Sequence, residues 1–237
     1  MRLPVRICPS PNWNERPGGS APDLLVLHYT GMPTAEAALR RLRDPAAQVS
    51  AHYLIDEDGT VTALVPEEKR AWHAGLSWWQ GRANLNDVSI GIELVNPGHE
   101  WGYRPFPEAQ MAALEQLAGD LVRRWRLQPL RVVAHSDIAP ARKEDPGELF
   151  DWRRLARAGI GLWPGPGAAV APDPALAAAA LARIGYPLEP QGVPLLLTLA
   201  AFQRRFRPAC CDGALDGETM ALLLAVAGLC DASMAPT

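Results

Sequence analysis

Apolar and polar positions alternate in short runs along the first two thirds of the chain, the period expected of strands packed in a sheet. Such runs fall at residues 24–29, 51–55, 61–65, 88–95 and 131–135, and Asp56-Glu57-Asp58-Gly59 joins two of them as a hairpin turn. Between Pro107 and Leu127 the period lengthens. Met111, Leu114, Leu117, Leu121 and Trp125 recur every three or four residues, which predicts an amphipathic helix covering one face of the sheet. A shorter helix is predicted over 151–158 with Asp151 as its cap. Strands and helices mixed in this order indicate an α/β domain, a central mixed sheet flanked by helices.

The pattern changes after WPGPGAAVAPDP, residues 163–174, which has no apolar periodicity and reads as a linker. Beyond it the spacing is purely helical. Asp173 caps a first helix with Pro174 at its opening position and Gly185 at its close, and two more fit residues 195–206 and 218–227. The expected organisation is an α/β domain over 1–164, a linker over 165–174, a three-helix domain over 175–230 and a tail over 231–237. The core of the small bundle is expected from Leu181, Ile184, Leu196, Leu199, Phe202, Leu222 and Leu223.

Composition narrows the function classes. Of 237 residues, 48% are hydrophobic and 21% charged, an ordinary globular profile, and the formal charge of −3 offers no basic surface for nucleic acid. No apolar run approaches the ~20 residues that span a bilayer, so no integral membrane segment is expected. The opening MRLPVRIC leaves no room for a secretory core before Cys8, so the expected location is cytoplasmic, with periplasmic or envelope association left open. Cys8, Cys210, Cys211 and Cys230 lack the spacing of a zinc knuckle or a disulfide framework and are expected as free thiols; the adjacent pair has no assigned role.

Candidate chemistry gathers at strand ends. In LLVLHY, Leu24, Val26 and His28 share one side while Leu25, Leu27 and Tyr29 share the other, so His28 ends its strand. The run 131–135 also ends in a histidine, His135, followed by the turn-rich SDIAPARKEDPG. There Asp145 precedes Pro146, which favours an extended backbone and lets Lys143 and Asp145 project together. Two histidines and a carboxylate at one sheet edge satisfy a catalytic zinc site, with a fourth position free for water. In the run 88–95, Glu93 shares a face with Ser89 and Gly91, as a carboxylate in an open cleft would. Spacing alone leaves the alternatives standing: a lone histidine is more commonly a satisfied structural residue, and Glu93 also reads as a solvated strand residue.

The segments LLVLHYTG, SAHYLIDEDGTV, AWHAGLSWW, NDVSIGIELVN and AHSDIAPARKEDPG, in this order, resemble the type 2 N-acetylmuramoyl-L-alanine amidases, relatives of the peptidoglycan recognition proteins. The resemblance covers roughly residues 9–164. It implies zinc held by His28, His135 and Asp145, with Glu93 and Lys143 catalytic, and His73 and Asn86 as substrate contacts. It further implies a peptidoglycan or muropeptide substrate, cut between N-acetylmuramic acid, or its anhydro form, and L-alanine. Glu93 is expected to take a proton from the attacking water and return it to the leaving nitrogen, with zinc and the Lys143 ammonium facing the oxyanion. His52 and Trp72 stand equally as core residues, and no role is committed for Arg82, Arg104 or Arg142.

IGYPLEP, LAAFQRRFRP and DGALDGETMALL resemble the three-helix peptidoglycan-binding module often appended to such amidases. The missing secretory signal favours recycled anhydro fragments as substrate, while a wall-binding module favours the intact polymer. Two rival readings are a non-catalytic peptidoglycan-binding protein of the same fold and a structural zinc domain closed by a fourth ligand.

Overall fold

A computed structural model describes residues 3–165 and 167–234. The short strands β1 (Val5–Ile7) and β2 (Trp13–Glu15) precede the central strand β3 (Leu24–Tyr29), after which helix α1 (Ala35–Arg43) is capped by the Thr34 side chain accepting from Ala37 N. Strands β4 (Tyr53–Ile55) and β5 (Val61–Ala63) form the expected hairpin, closed by Asp56 N donating to Thr60 O at 2.9 Å. Strand β6 (Lys69–Ala71) pairs with β2, and β7 (Trp78–Trp79) pairs with β8 (Arg82–Ala83) in a small ribbon. Then follow β9 (Ser89–Leu94), the single turn α2 (Gly98–Trp101), the long helix α3 (Glu108–Trp125), β10 (Val132–Ala134), the short helix α4 (His135–Ile138) and α5 (Trp152–Arg157). Helices α6 (Pro174–Ile184), α7 (Leu195–Phe206) and α8 (Gly217–Met234) complete the described chain. Residue 166 of the expected linker and residues 235–237 of the expected tail lie outside the described residues.

Six strands form one mixed sheet in the order β1-β5-β4-β9-β3-β10, with β4, β9, β3 and β10 parallel and β4 and β5 antiparallel. The alternation of β3 sends its side chains into two separate cores. Leu25 and Leu27 pack with Met111, Leu114, Leu117 and Leu121 of α3, whereas Leu24 and Val26 join Trp79, Val133 and Ile138 on the opposite face. That second core continues without a break into the C-terminal helices through Leu181, Ile184, Leu199, Phe202, Phe206, Met220, Leu223 and Val226. The two parts of the chain on either side of the 165–174 stretch therefore share one apolar interior.

One expectation shifts in the bundle. Leu196 is 58% exposed, because the buried stripe of α7 begins only at Thr198 and Leu199, and Leu222 is half-buried. The Asp145–Pro146 peptide is cis. Among the described residues no helix is long and apolar enough to cross a membrane; Cys8, Cys210 and Cys211 are free thiols, and Cys230 Sγ donates to Val226 O.

Candidate metal centre and cleft

The site is assembled by the carboxyl ends of three parallel strands, where open α/β sheets place their crevices. His28 lies near the end of β3 and is in register with Glu93 of β9. Because β10 runs parallel beside β3, with Ala134 paired to Leu27, the next residue, His135, arrives next to His28. The loop after α4 returns Asp145 to the same point, anchored by Ser136 N donating to Asp145 O at 3.0 Å. His28 Nδ1 lies 2.9 Å from His135 Nδ1 and 3.1 Å from Asp145 Oδ2, and His135 Nδ1 lies 3.0 Å from the same oxygen. All three residues are buried, at 1%, 3% and 5% exposure.

Their outer partners set the tautomers. His135 Nε2 faces the carbonyl of Ala74 at 3.2 Å and must donate to it. His28 Nε2 meets His73 Nδ1 at 3.0 Å, and His73 Nε2 meets Ser89 Oγ at 3.1 Å, a chain in which each ring donates outward from its Nε2. Both Nδ1 atoms of His28 and His135 then turn lone pairs toward the Asp145 carboxylate, with no proton to separate them. Three converging acceptors are a cage for a cation, and outward donation from ligating rings is the usual support of such a cage. A tetrahedral ion with bonds of ~2.0–2.1 Å separates its ligand atoms by about 3.3 Å, close to the triangle seen here. The residues thus fit a metal ion.

The electrostatics agree. Burial, together with the charge of His135, pushes His28 down to about 4, and burial pushes His52 down to about 3. Burial also holds His73 well below its ordinary range. Burial alone would raise the Asp145 carboxyl, but wherever His135 or His28 carries a proton its charge and hydrogen bond outweigh burial and hold Asp145 well below the usual carboxylate range. An unfolded histidine takes up a proton near pH ~6.5 that these folded ones refuse, so the stability they confer is full above ~6.5 and is lost as pH falls from there toward about 4. The thermal midpoint of metal-free protein should therefore fall steadily across that window; a midpoint that stays flat from neutral pH to about 4 would contradict burial of neutral rings.

Glu93 stands beside this triangle. Its Oε2 is buried without a hydrogen-bond partner, and burial, reinforced by the negative charge of Asp145 and opposed by Lys143, raises its carboxyl well above the ordinary range. Glu93, Lys143, His73 and the three clustered residues line one cleft of about 520 Å³. Gly91 makes this arrangement possible, since a Cβ there would lie 2.5 Å from the His73 ring. On the other side, Tyr103 Oη donates to Pro146 O at 2.8 Å and accepts from Leu149 N at 2.9 Å, bracing the loop just after Asp145.

Other residues singled out from the sequence stand further back. Asn86 Oδ1 accepts from His73 N and Ala74 N at 3.0 and 2.8 Å, so this amide holds the loop under His73 from behind the cleft wall. His52 is fully buried, with Nδ1 accepting from Gly91 N and Nε2 donating to Lys69 O, both at 3.0 Å. Arg82 is paired bidentately with Asp23, Arg104 with Glu57, and Arg142 with the carbonyls of Ala74 and Leu76. Trp72 lines the cleft while its Nε1 donates to Asn14. The cleft also contains Arg41 and Glu100, which the sequence did not single out. Arg40 pairs with Glu36 and Arg43 donates to Pro9 O, whereas Arg41 has no carboxylate partner among the described residues and is available to an anionic group.

With this geometry in hand, comparison with known proteins is specific. The family model described as N-acetylmuramoyl-L-alanine amidase matches residues 18–148. The chain is 41% identical over 223 residues to N-acetylmuramoyl-L-alanine amidase AmiD of Escherichia coli, covering 84% of this chain and 80% of that protein. It is 40% identical over 168 residues to 1,6-anhydro-N-acetylmuramyl-L-alanine amidase AmpD of Enterobacter cloacae, covering 64% of this chain and 88% of that one. Among solved structures, Escherichia coli AmiD in complex with the substrate anhydro-N-acetylmuramic acid-L-Ala-D-gamma-Glu-L-Lys superposes with a TM-score of 0.80 at 38% identity, covering 92% of this chain and 98% of that one. Pseudomonas aeruginosa AmpDh3 in complex with anhydromuramic pentapeptide gives 0.78 at 39% identity, covering 88% and 92%.

Proposed function

Because the chain belongs to the N-acetylmuramoyl-L-alanine amidase family, we propose that its cleft holds one zinc ion on His28, His135 and Asp145 and cuts the amide between N-acetylmuramic acid and L-alanine in muropeptides. The observation that carries the reading is the convergence of two histidine lone pairs and one carboxylate oxygen within about 3 Å of one another, next to a buried carboxylate with a free oxygen. A nitrogen and oxygen donor set with three protein ligands is that of a hydrolytic zinc site with an open position. When bound, zinc supplies Lewis-acid chemistry, lowering the pKa of water from ~15.7 toward ~7 and polarising a carbonyl.

The side chains divide the remaining work. Glu93, whose raised proton affinity suits a base that must also act as an acid, takes the proton of the attacking water and delivers it to the departing nitrogen of L-alanine. Lys143 lines the same cleft, where its ammonium would stabilise the oxygen on which negative charge develops. His73 lies against His28 and keeps that ring's Nδ1 unprotonated. A non-catalytic peptidoglycan binder has no use for the desolvated, unpartnered oxygen of Glu93, which favours the enzyme over that rival. A closed structural zinc site needs a fourth ligand, and the two spare histidines are engaged elsewhere, His52 with Gly91 N and Lys69 O and His73 with His28 and Ser89.

For the substrate, we favour the anhydro fragment, the form on which the AmiD and AmpDh3 complexes named above were solved. Residues 175–230 we read as a helical peptidoglycan-recognition part joined to the catalytic part, residues 1–164, by their common core. Mass spectrometry of products from an anhydro-muropeptide and from intact sacculi tests this directly. Free L-alanyl peptide and anhydro-sugar are expected to form faster from the fragment; release of peptide from sacculi alone would reverse the substrate preference, and cleavage at any other bond would reject the function. Fractionation of the producing cell places the enzyme relative to the two substrates.

A further inference from the structure

The C-terminal helices reach directly into the segment that carries two of the three metal-binding side chains. Asp137, two residues after His135, is fully buried and receives Arg205 Nη1 at 2.6 Å on Oδ2 and Tyr186 Oη at 2.6 Å on Oδ1. The same Oδ2 accepts from Ala134 N at 2.8 Å, so the carboxylate closes the turn that begins with His135. Arg205 Nη2 also donates to Val132 O at 3.0 Å, tying α7 to the strand that leads into that turn. The neighbouring residue on α7, Arg204, lies 3.6 Å from Glu144, which immediately precedes Asp145. Consecutive arginines of one helix thus hold both ends of the stretch from His135 to Asp145. Tyr186 and Arg205 lie beyond the residues 18–148 matched by the amidase family model.

We infer that Tyr186 and Arg205 are positioning residues of the metal centre: the C-terminal helices grip the Asp137 carboxylate and through it fix the turn that presents His135. The inference rests on His135 being a metal ligand. A side chain that orients a ligand without touching the ion typically alters metal affinity by roughly 10- to 100-fold when removed, whereas one that merely stabilises the fold lowers the melting point and leaves the affinity of the folded protein intact.

The test measures zinc affinity of the full-length protein by competition with a chromophoric chelator, the visible spectrum of the cobalt-substituted form, and the thermal midpoint of the metal-free form. Tyr186→Phe removes one hydrogen bond to Asp137, and Arg205→Lys keeps the charge but not the fork that spans Asp137 and Val132. Leu199→Ala, at a buried α7 position whose side chain offers no hydrogen bond to the Asp137 carboxylate, is the control for simple destabilisation. Tyr186→Phe and Arg205→Lys are expected to raise the zinc Kd about 10-fold or more and to shift the cobalt spectrum, while Leu199→Ala lowers the midpoint without changing either. Zinc affinities of both Asp137-contacting variants within twofold of the parent, with the parent binding zinc, would overturn the inference and leave the metal site standing. A parent chain that binds no zinc at all would overturn both.

Discussion

Glu93→Gln is expected to lower kcat/KM for muropeptide cleavage by about 10²- to 10⁴-fold with zinc content unchanged. Glutamine keeps the volume and strand geometry of the residue but cannot accept the proton of the attacking water. Glu93 sits in register with His28 across β9 and β3, so the strand pairing alone brings it to the metal triangle. Its buried position, and then the nearby charge of Asp145, raise its carboxyl well above the ordinary ~4.3 of a glutamate. Because the base must be ionised before it acts, activity is lost as pH falls through that raised value, and the acid limb of the profile should stand above the one a solvated glutamate would give. In Glu93→Gln the residual activity should lose this limb. A variant with near-parental turnover, or with the same acid limb, would remove Glu93 from the chemistry.

Asp145→Ala should abolish metal binding and activity together. Asp145 is the anionic member of the three converging donors, and without it only the two Nδ1 lone pairs, 2.9 Å apart, would be left to face a cation. Two neutral histidines alone make a weak, exchangeable site, with one ligand fewer and no anionic donor to offset the charge of the ion. Metal analysis after gel filtration is expected to find stoichiometric zinc in the parent and almost none in Asp145→Ala. Chelation should reduce the parent to the same background activity, and zinc should restore the parent but not the variant. An Asp145→Ala protein that retains zinc and turnover would mean that the ion lies elsewhere.

Much of this centre was legible in the order of residues because strands have a strict period of two. In LLVLHY the alternation assigns each leucine to one of the two cores and leaves His28 near the strand end, as found. Ser89, Gly91 and Glu93 likewise share a face, and Gly91 leaves the space that His73 fills. Periodicity carries less where few positions are buried. Helix α1 went unread because only Ala38 and Leu42 of its nine residues are buried, although Thr34 caps it and Glu36 occupies its first turn. Strands β1 and β2 are three residues long and exposed throughout, so no alternation marks them. Contacts between distant residues leave no local trace at all: Arg205 and Asp137 are 68 positions apart, and nothing in either neighbourhood announces the pair. The two backbone amides that Asn86 caps, those of His73 and Ala74, are likewise not marked by any local pattern.

The continuous interior joining the sheet to α6, α7 and α8 has a mechanical meaning. A recognition module on a slack tether samples a volume and raises the local concentration of any scissile bond within reach. Helices that share the interior of the sheet have no such freedom, and any group bound on them, as proposed above, would stand at one fixed offset from the cleft.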